Sequence, residues 1–192
     1  EQAFNVNGFS VKKLLESTND NVKIIYISTD AVFPSSLHLA NEVDSVCPEN
    51  VYGKSKELGE FFLNSSTNRV YTIVRTTIVG LNLNENKSGF VEWIINTTKD
   101  NNTLGLFSDV LFTPISIWDL ANEIKFLINS NNINSETLHI AGGLCTKYEF
   151  GKLLLKSLNL ATNKLVESSI LNFDNRAKRS TNQSINSSFY KQ

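Results

Sequence analysis

The chain of 192 residues carries 18 basic and 19 acidic side chains, a net charge of −1, and 41% hydrophobic residues. That length can bury one sizeable core in a single domain, and the near-balance of charge removes the electrostatic grounds for expecting nucleic acid or an anionic membrane surface as partner. No apolar run approaches the roughly 20 residues a bilayer-spanning helix needs, and Glu1-Gln2-Ala3-Phe4 opens without a basic-then-apolar leader pattern.

In chain order, residues 3–17 are predicted helical, with Phe4, Phe9 or Val11, Leu14 and Leu15 as an apolar stripe. The run Val22-Lys23-Ile24-Ile25-Tyr26-Ile27 is short, β-branched and bounded by polar residues, which predicts a buried parallel strand ending in Ser28-Thr29-Asp30. Residues 34–47 form a polar connection too long for a tight turn, a length often tied to function. Asn50 is placed to cap a helix running to about Asn64, with Leu58, Phe61 and Phe62 inward. A second apolar strand, Val70 to Val74, leads to Arg75-Thr76-Thr77, and a loop through 82–86 leads to a helix over 89–98. Leu104 to Phe107 reads as a short strand. Ser116-Ile117-Trp118-Asp119 has the capping-box pattern before a helix carrying Leu120, Ile124, Leu127 and Ile128. A strand over 137–141 stops at Gly142-Gly143, and Thr146-Lys147-Tyr148-Glu149 is a second capping box, opening a helix to about Leu158. From Asn172 the chain is polar and reads as a tail or irregular edge. Strands alternating with helices predict an α/β fold with a parallel sheet.

Tyr52 and Lys56 stand four apart in the second helix and so share a face. A free phenol titrates near ~10, and a neighbouring ammonium favours the phenolate, which brings Tyr52 toward the range of acid–base catalysis. Thr29, a hydroxyl at a strand end, can hydrogen-bond the same substrate oxygen and hold it against the phenol. Such a pair suits hydride transfer to or from a carbon whose oxygen is protonated or deprotonated, with a nicotinamide cofactor as carrier. Ligands of open α/β sheets sit beyond the carboxyl ends of the strands, where Thr29 is expected.

Other residues read as structural. His38 lies in a polar loop and His139 in a buried strand; neither has a neighbour at metal-ligand spacing, so no metal site is expected. Cys47 and Cys145 are far apart and read as reduced thiols of a cytoplasmic protein. Trp93 and Trp118, on apolar helical stripes, read as core rather than sugar-stacking platforms. Arg75 could meet a diphosphate or pair with a carboxylate. Asn-x-Ser/Thr triplets at Asn64, Asn86, Asn96 and Asn182 follow from an Asn-rich composition and are not read as glycosylation sites.

The stretch from Ser28-Thr29-Asp30 through Pro48-Glu49-Asn50-Val51-Tyr52-Gly53-Lys54-Ser55-Lys56 resembles the extended short-chain dehydrogenase/reductases. Within them it is most similar to the dTDP-4-dehydrorhamnose reductase group, which reduces a 4-keto sugar attached to a nucleotide. The resemblance implies a catalytic triad of Thr29, Tyr52 and Lys56. Tyr52 would be the proton donor and Thr29 the partner of the substrate oxygen. Lys56 would be both a pKa-lowering charge and a ligand of the cofactor ribose. It implies cofactor contacts at Ser28, Tyr52, Lys56, Thr77 and Ile78, and substrate contacts at Asp30, Val32, Phe33, Arg75 and Thr113. It also implies a Rossmann-like doubly wound parallel sheet with its N-terminal strands missing, and a small C-terminal substrate-binding α/β region. On that division, 1–80 is the C-terminal part of an NAD(P)-binding domain. Residues 81–192 are a mixed substrate-binding region interleaved with the last Rossmann elements.

The similarity runs along most of the chain. Ala3-Phe4-Asn5-Val6-Asn7 resembles the helix whose Asn precedes the strand, with Asn7 in register and Asn5 as the alternative. Arg75-Thr76-Thr77-Ile78-Val79-Gly80 resembles the segment flanking nicotinamide and substrate. Phe107-Ser108-Asp109 through Phe112-Thr113-Pro114, with Leu120-Ala121, resembles the substrate-side segment. Leu138-His139-Ile140-Ala141-Gly142-Gly143 and Lys147-Tyr148-Glu149-Phe150-Gly151 are similar to the late strand and helix. Ala177-Lys178-Arg179-Ser180 through Ser184-Ile185-Asn186 resembles a C-terminal Arg-Pro segment in which Ser180 replaces the proline, and that weakens a substrate contact there.

Asp30 is followed by Ala31, not by the second carboxylate that the related 4,6-dehydratases use for water elimination, and epimerases usually carry small residues in place of Thr-Asp. No Gly-rich turn opens a helix after an early strand; Gly8 stands alone and Gly142-Gly143 comes too late. In the resembled family that motif lies upstream, so an N-terminally truncated fragment is expected. Such a fragment would bind NADP or NAD poorly or not at all by itself. The expectation is an NAD(P)H-dependent reductase of a nucleotide-activated 4-keto sugar in deoxysugar or surface-polysaccharide synthesis, with a nucleotide sugar as partner and a homodimer left open. The alternatives are a non-catalytic homologue, like the regulatory subunit of methionine adenosyltransferase, or a nucleotide-sugar epimerase.

Overall fold

In the computed structural model, which describes residues 1–84, 86–130, 136–172 and 180–190, the chain opens with α1 (Gln2–Phe4), a π-helical turn (Asn5–Phe9) and α2 (Ser10–Ser17). β1 (Ile24–Ile27), a 3-10 turn (Asp30–Val32), α3 (Val51–Asn64), β2 (Tyr71–Arg75) and β3 (Ile78–Val79) follow. Then come α4 (Phe90–Lys99), β4 (Leu104–Phe107), β5 (Leu111–Phe112), β6 (Ile115–Ser116) and α5 (Ile117–Asn129). The last elements are β7 (Glu136–His139), β8 (Cys145–Thr146), α6 (Lys147–Ser157), β9 (Leu165–Ser168), a 3-10 turn (Ile170–Asn172) and β10 (Asn182–Gln183).

β1, β2 and β7 pair in that order as a parallel sheet. Their side chains alternate between two cores. Ile25, Ile27, Val74 and Leu138 pack with Leu120 and Leu127 of α5 on one face. Ile24, Tyr26, Tyr71 and Ile73 pack with Val11 of α2 and Leu63 of α3 on the other. Burial on both faces explains why these strands read as continuous apolar runs. The expected α/β fold with a parallel sheet is thus observed, β1 beginning at Ile24 because Val22 is already exposed.

Smaller ladders lie beyond this sheet: β10–β5–β8, β3–β6 and β4–β9. Ile94 of α4, Leu104 and Leu106 of β4 and Leu155 of α6 form a core beside the β4–β9 ladder, with Leu165 of β9 packed on it. The helix starts follow the cap residues. Asn50 Oδ1 accepts from Gly53 N at 2.8 Å. Thr146 and Glu149 complete a reciprocal box. The Ser116 hydroxyl accepts from Asp119 N and donates to the Asp119 carboxylate.

Three expectations are corrected. On α3 the buried residues are Gly53, Ser55, Gly59, Glu60 and Leu63; Phe62 packs on the core and Leu58 against Gly8 as expected, but Phe61 is 59% exposed. Small residues at i, i+4 spacing let the helix settle onto β1, where a Cβ on Gly59 would stand 2.4 Å from the Tyr26 hydroxyl. Trp93 and Trp118 are 44% and 76% exposed rather than core. Buried Ile94 and Leu120 set the inward direction, and residues one or two positions away on a helix point elsewhere; Ile128, beside Leu127, is exposed for the same reason. The segment after 180 is no loose tail. Ser180, Ser184, Ile185 and Ser187 are buried, β10 pairs with β5, and Ala40 bridges Ile185.

Two measurements test this packing. A Cβ on Gly53 would lie 2.2 Å from the Ala31 carbonyl oxygen, while one on Gly143 meets open space. Gly53→Ala is expected to lower unfolding free energy in urea by about 1–3 kcal/mol, and Gly143→Ala to stay within about 0.5 kcal/mol of the parent. His139 is fully buried at the end of β7, with Nδ1 3.1 Å from the Asn186 carbonyl. Burial, and then the Arg75 charge, lower its pKa from 6.5 to about 4. The unfolded chain therefore binds more protons between those values, so stability is complete above pH ~6.5 and falls as pH drops toward 4, by up to ~3 kcal/mol. Denaturation at pH 7 and 4.5 should show this loss in the parent and a flatter slope in His139→Gln.

Candidate active site

The β1 ladder continues one residue past the strand, Ser28 N donating to the Val74 carbonyl at 2.7 Å. Thr29 then caps the 3-10 turn, its hydroxyl accepting from Ala31 N at 3.2 Å. The first turn of α3 rests on this turn through Gly53 and Ala31. That contact sets the Tyr52 phenol close enough to the Thr29 side chain for the hydroxyl to act on its titration. Thr29 is buried while Tyr52 is 49% exposed, so a polar pair at the carboxyl end of a parallel strand opens to solvent on one side.

Electrostatically the pair is not as the spacing suggested. Lys56 donates its ammonium to the Ile27 carbonyl at 2.8 Å and lies 4.9 Å from the centre of the Tyr26 ring. Burial pushes the Tyr52 pKa up, against the Thr29 hydrogen bond and with the Asp30 charge. The expected lowering by Lys56 is therefore not what governs Tyr52: the ammonium is engaged by the strand end, and the phenol stays protonated at neutral pH. Burial lowers the Lys56 pKa, with Glu60 opposing.

Asp30 is buried and accepts from Thr29 Oγ1 at 2.9 Å and from the Thr77 hydroxyl. Burial raises its pKa, opposed by these bonds and by the Lys147 charge. Thr29, Asp30 and Thr77 form one polar chain across the ends of β1 and β2, and Ile78 is exposed beside it. Behind the site, the Tyr26 hydroxyl donates to the Asn7 carbonyl in the π-helical turn at 2.8 Å, and the Asn7 amide donates to Ser55 at 3.0 Å. Asn7, rather than Asn5, faces α3.

Five expected ligand contacts have no free side chain in this arrangement. Val32 and Phe33 are core residues, packed with Ala40, Ala141 and Ile185. Arg75 is buried and paired with the Glu60 carboxylate at 2.7 Å. Ser28 donates to the same carboxylate at 2.5 Å, and buried Thr113 accepts from Ile185 N at 3.2 Å. Each is consumed by burial or by an internal partner. Positions 177–179 lie outside the described residues; Ser180 is buried.

Two features escaped the sequence. Glu60 is buried one turn past Lys56; the spacing 52, 56, 60 on one helical face was the available signal. A cleft of about 720 Å³ is lined by Asn50, Phe90, Trp93, Phe107, Lys147 and Gln183, among others. The Lys147 ammonium lies 3.4 Å from the Phe112 ring centre and 5.1 Å from that of Phe90, and its charge reaches Asp30. Asn50 caps the helix that bears Tyr52, so the cleft adjoins the Thr29–Tyr52 pair. Its signal was the pair Phe90 and Trp93 at i, i+3. Among the described residues no helix is long and apolar enough to cross a membrane, and no cluster of His, Cys, Asp and Glu could hold a metal ion.

Comparison with known proteins gives the same family from several directions. The family described as RmlD substrate binding domain matches residues 1–192. Spore coat polysaccharide biosynthesis protein SpsK of Bacillus subtilis is 31% identical over 166 residues, covering 84% of this chain and 56% of that protein. The dTDP-4-dehydrorhamnose reductase of Escherichia coli is 26% identical over 198 residues, covering 97% of this chain and 65% of that protein. The crystal structure of dTDP-4-dehydrorhamnose reductase from Bacillus anthracis in complex with NADP has a TM-score of 0.85 at 26% identity, over 100% of this chain and 68% of that one. The chain thus spans 56% and 65% of the length of these two curated relatives. The match of that family along residues 1–192 places the chain in the RmlD substrate binding domain family.

Proposed function

We propose that this chain carries the proton-transfer and substrate-binding parts of an NAD(P)H-dependent reductase acting on a 4-keto sugar linked to a nucleotide, of the dTDP-4-dehydrorhamnose reductase kind. The role is in deoxysugar or surface-polysaccharide synthesis. The observation that carries the reading is the Thr29–Tyr52 pair, a half-exposed and protonated phenol beside a buried strand-end hydroxyl at the mouth of a parallel sheet.

The residues fit one half of a dinucleotide. Tyr52, Lys56 and the exposed Ile78 beside Thr77 suit a nicotinamide and its ribose, whereas the chain has no Gly-rich turn to cradle a pyrophosphate. When bound, the nicotinamide supplies a hydride to the carbonyl carbon. Thr29 orients the carbonyl oxygen by turning to it the hydroxyl proton that Asp30 accepts in the free chain, and Tyr52 gives it the phenolic proton as alkoxide character develops. The raised pKa keeps that acid loaded at neutral pH. Lys56, anchored at the end of β1, holds positive charge near the developing phenolate. Asp30 is occupied by Thr29 and Thr77 and is followed by Ala31, so the chain lacks the acidic pair that elimination requires.

The aromatic cleft supports a nucleotide-linked substrate. Trp93, 44% exposed and stacked on Phe90, offers a face for a base, and Lys147 a charge for a diphosphate.

Within a protein of the full length its relatives have, the chain should oxidise NADPH only in the presence of a dTDP-4-keto sugar. Tyr52→Phe is expected to lower kcat by roughly 100-fold or more with KM little changed; unchanged turnover in that variant refutes the assignment. Turnover without net NADPH consumption would indicate an epimerase, and cofactor binding with no turnover a regulatory homologue. Trp93→Ala should raise KM for the nucleotide sugar about 10-fold, consistent with the loss of one stacking contact, while kcat is retained.

A further inference from the structure

Glu60 is 3% exposed and lies one helical turn beyond Lys56 and two beyond Tyr52. Its Oε1 accepts from the Ser28 hydroxyl at 2.5 Å and from Arg75 Nε at 3.1 Å; its Oε2 accepts from Arg75 Nη2 at 2.7 Å. The Arg75 guanidinium in turn lies 4.9 Å from the Phe33 ring centre and reaches the Glu42 carbonyl. A buried ion pair is an expensive way to fasten a helix to a sheet, since well-packed apolar residues of similar volume often do as well or better. What this pair touches explains its presence. Ser28 immediately precedes Thr29. Arg75 ends β2, two residues before the Thr77 that holds Asp30. Glu60 itself belongs to the helix that bears Tyr52 and Lys56.

We propose that Glu60 is the positioning residue of this site, its carboxylate locking the Thr29 strand end in register with the helix that bears Tyr52 and Lys56. Glu60 touches no reacting atom, and the role rests on the reading of Thr29, Tyr52 and Lys56 as the reacting group. The titratable groups that bear on the Lys56 ammonium are Glu60 from its own helix and Tyr26 from β1. Of these, Glu60 supports the charged form against burial.

The test separates positioning from fastening. Glu60→Gln leaves the Arg75 charge buried and unpaired, so a marked fall in Tm is expected. Glu60→Gln combined with Arg75→Gln removes both charges and should regain most of that stability. In the double variant the 13C NMR titration of the Lys56 side chain, measured on this chain, is expected to move to lower pH. In the reductase assay its kcat should fall roughly 10- to 100-fold with KM nearly unchanged. A double variant that recovers stability, the parent Lys56 titration and the parent kcat together would overturn the proposal, since Glu60 would then be a fastener only. Absence of reductase activity in the parent would refute the proposed reaction instead, and the Lys56 titration would still decide the positioning role.

Discussion

The site depends on one close approach of backbone to backbone. At Gly53 the first turn of α3 lies against the carbonyl of Ala31, at a distance no Cβ could share. This contact brings the half-exposed phenol of Tyr52 over the strand-end hydroxyl of Thr29. The rest of the local structure defends it. Asn50 fixes where the helix starts, Gly59 lets the middle of the helix close on Tyr26, and Glu60 ties its second half to the ends of two strands. A helix held at its start, middle and far side has no freedom to slide along the sheet. Side chains on its face therefore meet the strand ends in one register.

Burial decides the charge state of that face. Desolvation is the largest influence on Tyr52, Asp30 and Lys56, and in each it favours the neutral form. The partners oppose it selectively: Glu60 supports the Lys56 ammonium, while hydrogen bonds from Thr77 and Thr29 and the charge of Lys147 support the Asp30 carboxylate. For Tyr52 the balance leaves a protonated phenol. A site whose acid is kept loaded by burial, with its cation anchored one turn away on a carbonyl, suits proton donation to a developing alkoxide. It is poorly suited to standing as a phenolate base at neutral pH.

Much of this was legible from the residues. The strand before Ser28, the Asn50 cap, the Thr146–Glu149 box and the alternation of strands with helices all rest on local patterns, and local patterns survive folding. Side-chain destinations survived less well. Val32 and Phe33 follow Thr29 and Asp30 in sequence, but the 3-10 turn swings both into a core completed by Ile185, a residue about 150 positions later that no periodicity announces. Arg75 was ambiguous between a diphosphate and a carboxylate until β2 placed it against Glu60. Trp93 and Trp118 were misassigned because hydrophobicity alone does not say which side of a helix carries the core, and Ile94 and Leu120 fix that side only once the sheet is built. The polar segment from Ser180 was misjudged for a related reason. Its serines are small enough to be buried once each hydroxyl finds a backbone partner, as those of Ser180, Ser184 and Ser187 do.

The arrangement also separates chemistry from recognition. Thr29, Asp30, Tyr52, Lys56 and Glu60 belong to the end of β1, the turn after it and α3, and all but the half-exposed Tyr52 are held by hydrogen bonds or a charge pair. The adjoining cleft is built from α4, β4 and the start of α6, with Phe90, Trp93 and Phe107 in its lining. Lys147 spans the two, stacked on cleft aromatics while its charge reaches Asp30. On the proposed reading, a change of sugar or base would be accommodated in the cleft without disturbing the proton-transfer geometry. A change at Lys147 would be felt on both sides, because it is the group through which charge placed in the cleft alters the potential at the Asp30–Thr29 end of the site.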